Sequence, residues 1–308
     1  MLTRVLAGLG LLVLLLVVYG VAIEPRLLLD DKSFEAEIPN LPGGWDGQTV
    51  ALVADFQIGM WLDNEAMVAE AVEDAVEDEA ALLLVAGDFL YHPDSAKADR
   101  AVALLGPAFE AGVPVVAVLG NHDYSLMKTH SEERPPIAEY LTRRLRESGA
   151  TVLENEAVGV PAPGGGDTLY VAGIGSVWAE ASDPQAALAA VPEGAPRLVL
   201  MHNPESYRGI GGGEAPLALA AHTHGGQIRL LPGEQNSWLD IVRQGEVVAD
   251  GWALDSLGAP SNRLYVNRGI GFSTVPVRIN CRPELTLITL RRSNGSTPTR
   301  GPSATADS

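Results

Sequence analysis

Apolar residues recur along this chain with two different spacings, which distinguish helices from strands. Uninterrupted apolar runs of strand length occur at residues 50–54, 81–87 and 113–120. Patterns with helical spacing alternate with them, at residues 65–80, 96–112 and 137–149. We interpret 96–112 as one helix in spite of Pro107, and Gly149 as the C-cap of the last helix. Alternating strands and helices predict a mainly parallel sheet covered by helices.

The second half of the chain contains more strands than helices. Short apolar or alternating runs occur at residues 151–155, 169–173, 197–201, 217–221, 263–268 and 284–290. The sequence PAPGGGD at 161–167 is typical of a hairpin connection. Strands that follow one another without helices indicate a second sheet or an antiparallel extension of the first.

The two ends of the chain differ from the core in composition. Residues 5–23 carry no charge and are long enough to cross a bilayer core of roughly 30 Å as a helix. The run is longer than a typical signal-peptide core and no clear cleavage motif follows, so we expect a retained anchor rather than a cleaved signal peptide. Residues 293–308 are small and polar, which predicts a disordered tail. The expected division is an anchor and linker at 1–30, one domain at 31–292 and this tail.

The positively charged residues on the two sides of the apolar run are nearly balanced. Arg4 precedes the run, and Arg26 and Lys32 follow it. A very short N-terminal tail usually stays inside, which places the domain outside the cytoplasm and attached to the cell membrane by a single pass.

Charge and cysteine content exclude several classes of function. The net charge of −18 repels nucleic-acid phosphates, so we expect no DNA or RNA partner. The lone Cys281 forms no intramolecular disulfide and rules out a cysteine-based zinc or redox site.

Five apolar strands end in residues of the types that bind metals. The side chains at these ends are Asp55, Asp88, Asn121 with His122 and Asp123, His202, and His222 with His224. Taken singly, each has an ordinary explanation: an Asp after a strand is often a turn residue, and a lone His is more often a hydrogen-bonded core residue. Five such ends together are hard to reach by accident, since buried polar groups without partners are costly. Because α/β sheets bind ligands at the carboxyl ends of their strands, we predict a metal site there.

The order of these motifs resembles that of the calcineurin-like metallophosphoesterases, in particular the membrane-anchored bacterial branch. The family signature is D-x-H, G-D, G-N-H-[DE], a lone His, and G-H-x-H. The corresponding segments here are DFQ (55–57), GD (87–88), GNHD (120–123), MH (201–202) and AHTH (221–224). The sequence departs from the signature at Gln57, where His is usual, and at Ala221, where Gly is usual. The resemblance implies an α/β fold, a four-layer α/β/β/α sandwich of two mixed sheets flanked by helices, preceded by an N-terminal transmembrane helix.

The resemblance also implies roles for individual residues. The first of two divalent metals is expected among Asp55, Gln57, Asp88 and His224, and the second among Asp88, Asn121, His202 and His222. His122 is expected beside the phosphate, as proton donor or charge stabiliser, with Asp123 orienting its ring. Arg268, in the closing NRGIG segment, is expected to contact substrate. Gln57 should weaken the first site without emptying it, because an amide oxygen is a poorer donor than imidazole.

These roles predict an enzyme that hydrolyses a phosphodiester or pyrophosphate through attack of a metal-activated hydroxide. The mixed ligand set suits Mn²⁺, Fe²⁺ or Zn²⁺, and the sequence does not choose among them. The resemblance also implies one candidate substrate, a lipid-linked nucleotide diphosphate of the UDP-diacylglucosamine type. The alternative is a non-catalytic metal-binding or scaffold domain with a weakened first site. A soluble nuclease is disfavoured by the anchor and the acidity.

Overall fold

The computed structural model describes residues 1–92, 94–126, 135–229, 237, 239 and 248–293. All but the first residue of the predicted disordered tail therefore lie outside the described part. The helices are α1 (Leu2–Val18), α2 (Glu24–Leu27), α3 (Glu65–Glu77), α4 (Ser95–Ala103), α5 (Gly106–Glu110), α6 (Pro135–Glu147) and α7 (Pro184–Ala189). The strands are β1 (Asp30–Ile38), β2 (Thr49–Val53), β3 (Leu82–Val85), β4 (Val115–Ala117), β5 (Thr151–Val152), β6 (Glu156–Pro161), β7 (Thr168–Gly173), β8 (Arg197–Leu200), β9 (Ala218–Ala220), β10 (Gly251–Trp252), β11 (Leu264–Val266) and β12 (Glu284–Arg292).

The strands form two six-stranded mixed sheets. The first has the order β1-β12-β2-β3-β4-β5, and the second has the order β10-β11-β9-β8-β7-β6. In the first sheet β2 to β5 are parallel and β12 runs antiparallel to β2. In the second, β7, β8, β9 and β11 are parallel, and β6 and β10 run antiparallel to their neighbours. The predicted fold of two mixed sheets flanked by helices is confirmed.

Successive side chains of a strand point to opposite faces of its sheet, so each strand contributes to two layers of the core. In β3, Leu82 and Leu84 enter the cluster between the two sheets, while Leu83 and Val85 pack under α3 to α6. In β8, Leu198 points to the same central cluster and Val199 to the outer cluster around α7. A strand that is buried on both faces has a continuous apolar sequence, which is why β3 and β8 were recognisable in the sequence.

Two local predictions differ from the structure. The single helix expected at 96–112 is broken: α4 ends at Ala103 and α5 begins at Gly106, with Pro107 in its first turn. Proline lacks an N–H and its ring obstructs the preceding turn, so it begins a helix more easily than it continues one. The expected hairpin at 161–167 is confirmed, but the strand before it is β6 rather than the run at 151–155, whose β5 joins the first sheet.

The N-terminal helix has an exposed part and a part in contact with the domain. No residue of α1 is buried, and the helix continues through a π-helical turn, Tyr19–Ile23, into α2. The 26 residues Leu2–Leu27 have the length and the hydropathy, 2.7, of a membrane span, and a signal sequence would share both properties. Gly20 lies against the domain, where an added Cβ would come 2.7 Å from Cγ1 of Ile279.

The buried carboxylate of Glu24 connects this helix to the domain. It accepts hydrogen bonds from the backbone N–H groups of Asn280, at 2.8 Å, and of Cys281. The backbone N–H of Arg278 donates to the carbonyl of Gly20 at 2.8 Å. The chain is thus in contact with the domain at Gly20 and Glu24, while the boundary expected at residue 30 stays a prediction.

We expect Glu24→Ala to destabilise the domain by about 2–4 kcal/mol, because two buried N–H donors lose their acceptor. Urea denaturation of the full chain in detergent, followed by near-UV circular dichroism, measures this loss. Glu193→Ala, at an exposed loop position, is the matched control. Equal stability of the two variants would mean that the Glu24 contacts contribute nothing to folding.

Candidate metal centre

The five polar strand ends converge at one place between the two sheets. Asp55 follows β2, Asp88 follows β3, and Asn121 to Asp123 follow β4 in the first sheet. His202 follows β8, and His222 and His224 follow β9 in the second. All of these side chains are buried except that of His222, which is half-buried.

Two groups of ligand atoms share Asp88. One consists of Asp55, Asp88 and His224, and the other of Asp88, His202 and His222. Within each group the ligand atoms lie within 4.8 Å of one another, close enough to surround a metal ion. A carboxylate that belongs to both groups can bridge two ions.

His202 is oriented by a backbone contact that leaves one ring nitrogen for the centre. Its Nδ1 lies 2.7 Å from the carbonyl oxygen of Ala86 and must carry the hydrogen, because a carbonyl only accepts. Its Nε2 lies 3.3 Å from Oδ2 of Asp88, 3.2 Å from Oδ1 of Asn121 and 3.2 Å from Nδ1 of His222. Four nitrogen and oxygen atoms so close together need a positive charge among them, either a proton on His202 or a metal ion in its place, and the orienting carbonyl is typical of metal-bound histidine.

In the first group and beside it lie buried polar atoms that have no hydrogen-bond partner in the described part of the chain. These are both carboxylate oxygens of Asp55, Oε1 of Gln57 and Nδ1 of His224. Nδ1 of His224 lies 3.9 Å from Oδ2 of Asp55. Buried groups of this kind are normally satisfied, so their convergence fits a divalent cation. By this test the residues present suit the two divalent metals that the resemblance implies.

Several residues of the centre adopt a backbone conformation that is unusual for side chains with a Cβ. Asp55, Gln57, Asp88, His222 and His224 all have φ between 50° and 76°. Such conformations persist where surrounding contacts impose them, and they concentrate at functional sites. Gly120 has a related role, since a Cβ there would lie 2.1 Å from Oδ1 of Asp88. The glycine of GNHD is therefore needed for the close approach of the two strand ends.

Gln57 contacts the shared carboxylate directly. Its Nε2 donates to Oδ2 of Asp88 at 2.8 Å, which leaves Oε1 as the atom available to a metal. The other departure from the family signature, Ala221, is buried in the cluster between the sheets without a positive φ. The backbone at this position does not require glycine.

His122 lies at the edge of the centre, and its ring has a different partner from the one expected. Its Nδ1 lies 3.2 Å from the carbonyl oxygen of Tyr91, and the two rings stack with centroids 5.2 Å apart. A carbonyl partner fixes the hydrogen on Nδ1 and leaves Nε2 as the nitrogen for proton transfer.

The expected contact between Asp123 and the His122 ring is absent among the described residues. The Asp123 carboxylate instead accepts from the backbone N–H groups of Asp88, Leu90 and Gly120 at 2.9–3.0 Å. Burial and then the charge of Asp88 raise the pKa of Asp123 to about 8, against the pull of these amides. Its observed contacts fix the loop that carries Asp88.

Burial and neighbouring charges shift the pKa values of the centre's side chains. Burial raises the pKa of Asp55 to about 7, although the charge of His202 opposes the rise. Burial lowers the pKa of His202, but the charge of Asp88 outweighs it and raises the pKa to about 9. Burial lowers the pKa of His224 well below its ordinary value. A divalent cation would hold Asp55 ionised and displace the proton of His202, so metal binding would release protons.

The structure places Arg268 in a buried ion-pair group. Its guanidinium contacts Glu284, with Nε 2.6 Å from Oε2, and also Asp30 of β1. The expected contact of Arg268 with substrate stays a prediction.

Residues 269–278 support the centre, a role that was not predicted although the NRGIG segment at 267–271 had been noted. The backbone N–H of Gly271 donates to the carbonyl of Asp55 at 2.7 Å, and a Cβ on Gly269 would lie 2.3 Å from Oδ2 of Asp55. The buried guanidinium of Arg278 donates to the carbonyls of Gly269 and Gly271. The signal that could have indicated them is the GIG directly after the apolar run at 263–268, a sixth strand end beside the other five.

Comparison with known proteins agrees with this geometry. A family model described as calcineurin-like phosphoesterase matches residues 48–230. Phosphodiesterase YaeI of Escherichia coli is 33% identical over 225 residues, which cover 73% of this chain and 75% of that protein. The metallophosphoesterase YkuE of Bacillus subtilis is 24% identical over 90% of this chain and 91% of its own length. UDP-2,3-diacylglucosamine pyrophosphatase LpxG of Chlamydia trachomatis is 27% identical over 48% of this chain and 44% of its own.

Proposed function

The chain belongs to the calcineurin-like phosphoesterase family, and on that premise we propose that it is a membrane-tethered, dimetal hydrolase of phosphodiester or pyrophosphate bonds. Membership makes it a metallophosphoesterase that uses divalent metal ions. The observation that carries the finer proposal is the sharing of Asp88 between two groups of ligand atoms.

The proposed ligands follow from the contacts described above. Asp55, Gln57, Asp88 and His224 would hold one ion, and Asp88, Asn121, His202 and His222 the other. Two such ions would supply Lewis acidity toward phosphate oxygens and would lower the pKa of a coordinated water. Mn²⁺, Fe²⁺ and Zn²⁺ all suit this mixture of carboxylate, amide and imidazole.

The protein's own groups would complete the reaction. Nε2 of His122 would donate a proton to the leaving oxygen, while Nδ1 stays hydrogen-bonded to Tyr91. Asp123 would fix the positions of Asp88 and Gly120 by accepting hydrogen bonds from their backbone N–H groups.

The substrate that we propose is a phosphodiester or pyrophosphate linked to a lipid, such as a UDP-diacylglucosamine-type nucleotide. The name of the Chlamydia relative and the apolar N-terminal helix support this class. We propose further that the helix is a retained anchor and that the domain lies outside the cytoplasm.

A substrate screen tests the function. The purified full chain, reloaded with Mn²⁺, should hydrolyse bis(4-nitrophenyl) phosphate or a nucleotide-diphosphate lipid faster than a simple phosphomonoester. Preference for the monoester would contradict the proposed bond class. Absence of hydrolysis after reloading with Mn²⁺, Fe²⁺ or Zn²⁺ would contradict catalysis.

We expect Gln57→His to lower the Mn²⁺ concentration that gives half-maximal activity by about tenfold, the lower end of the range for changes around metal ligands. Imidazole is a better donor than an amide oxygen. Gln57→Ala should raise the same concentration, since it removes both Oε1 and the hydrogen bond to Asp88. Titration of chelator-treated protein measures both effects.

The control is Gln185→His on the exposed face of α7, which should titrate like the wild type. If the wild type and both Gln57 variants reach half-maximal activity at the same Mn²⁺ concentration, Gln57 does not contact the metal.

A further inference from the structure

The end of the N-terminal helix lies against the loop that leaves the metal centre. Arg26 donates from Nη2 to the carbonyl of Leu62 and from Nη1 to that of Asp63, each at 2.7 Å. Asn64 donates to the carbonyl of Pro25 at 2.7 Å. Residues 61–64 are therefore held beside the last turn of the helix, a few residues after Asp55 and Gln57.

Large apolar side chains are exposed at this junction. Leu27 is 68% exposed, Trp61 64% and Leu62 55%. Leu62 has φ of 54°, an unusual conformation for a bulky residue, and the hydrogen bond from Arg26 holds its carbonyl in place. We refer to Leu27, Trp61 and Leu62 as the apolar rim.

The length of the free helix determines how far the rim lies from a bilayer. The 17 residues of α1, none of them buried, span about 26 Å, close to the roughly 30 Å of a hydrocarbon core. The helix reaches the domain at Gly20 through the hydrogen bond from Arg278. No spacer therefore separates the span from the domain, and a membrane-inserted α1 brings the junction to the lipid surface.

We propose that the apolar rim contacts the lipid bilayer and holds the carboxyl-end edge of the first sheet, with the metal centre, against the membrane surface. The bilayer is the occupant because the rim continues the exposed apolar surface of α1. Tryptophan also favours the membrane interface.

This contact has a consequence for the substrate, and that consequence rests on the proposed function. Gln57 precedes Trp61 by four residues in the same loop. A phosphate at the metal centre would thus lie near the depth of lipid headgroups. The substrate class is an amphiphile whose phosphodiester or pyrophosphate enters the centre while its acyl chains stay in the bilayer.

A fluorescent label at the rim tests the membrane contact without using activity. Because the lone Cys281 is fully buried, a Leu62→Cys variant offers one exposed thiol for an NBD label. The control is Leu254→Cys, which is equally exposed at 56%. Leu254 follows β10, whose antiparallel pairing places it at the edge opposite to the carboxyl ends of β9 and β11. Both full-length variants are placed in phosphatidylcholine nanodiscs with or without brominated acyl chains.

Brominated lipid should quench the label at residue 62 several-fold more strongly than the label at residue 254. Trp61→Cys, labelled in the same way, is a second reporter and should behave like Leu62→Cys. Equal quenching at the rim and at the opposite edge would overturn the membrane contact.

Hydrolysis tests the consequence for the substrate separately. The double variant Trp61→Ser with Leu62→Ser should hydrolyse CDP-diacylglycerol in nanodiscs on the order of tenfold more slowly, because two apolar side chains no longer hold the edge to the bilayer. Its rate on soluble bis(4-nitrophenyl) phosphate, and both rates of Leu254→Ser, should match the wild type. Equal rates of the double variant and the wild type on the lipid substrate would overturn the substrate class. Inactivity of the wild type on both substrates would contradict the proposed function, and the quenching result would still decide the membrane contact.

Discussion

Replacing Asp88 with asparagine is expected to lower turnover by roughly 10³-fold and to reduce metal content below two ions per chain. Asp88 belongs to both groups of ligand atoms, so one change weakens both proposed sites. An amide keeps the shape of the side chain but carries no charge to offset two divalent ions. If transition-state stabilisation falls by about 4 kcal/mol, the rate falls by about 10³.

Turnover and metal content of Asp88→Asn are measured on the same Mn²⁺-reloaded sample. An asparagine oxygen can still accept from the backbone N–H of His122, which lies 2.9 Å from Oδ1 of Asp88, so the fold should persist. Asp99→Asn, which removes the charge from an exposed pair with Arg144, is the matched control and should leave both quantities unchanged. Two tightly bound ions with near-normal activity in Asp88→Asn would contradict the bridging role.

Replacing His122 with alanine is expected to leave metal content intact and to lower turnover by roughly 10²-fold or more, as loss of a general acid does. The loss should depend on the leaving group. A nitrophenolate leaves without protonation, so its ester should suffer less than an alkyl phosphodiester.

His92→Ala is the control for His122→Ala, because His92 also packs against Tyr91, with centroids 4.6 Å apart, but is exposed. It should retain wild-type rates on both esters. Loss of one metal equivalent in His122→Ala would identify this histidine as a ligand. An equal loss of rate on the two esters would favour charge stabilisation over proton donation.

The parts of the fold that were predictable are those whose residues are buried on both faces. The runs that became β2, β3 and β4 are continuous and apolar because they lie between two layers of the core. β1 was not predicted, although Phe34, Ala36 and Ile38 alternate with acidic residues. Its polar face is exposed at the sheet edge, so it lacks the long apolar run of a central strand.

The candidate site was predictable where metal-binding types of residue follow directly after an apolar strand. The polar strand ends converge because parallel strands of both sheets bring their carboxyl ends together. The partner of the His122 ring was not predictable, since it depends on the backbone carbonyl of Tyr91 rather than on a side chain. The support from Arg278 was not predictable because its guanidinium binds backbone carbonyl groups, which every residue has whatever its side chain.

We propose that two metal ions held jointly by Asp88 give this chain its phosphoesterase activity. The most direct measurement is the number of Mn²⁺ ions bound per chain, determined by elemental analysis during stepwise reloading of chelator-treated wild type, with phosphodiester hydrolysis recorded at each step. We expect hydrolysis to rise with the second ion and to reach its maximum at two ions per chain. Full activity with one ion, or two bound ions without hydrolysis, would contradict it.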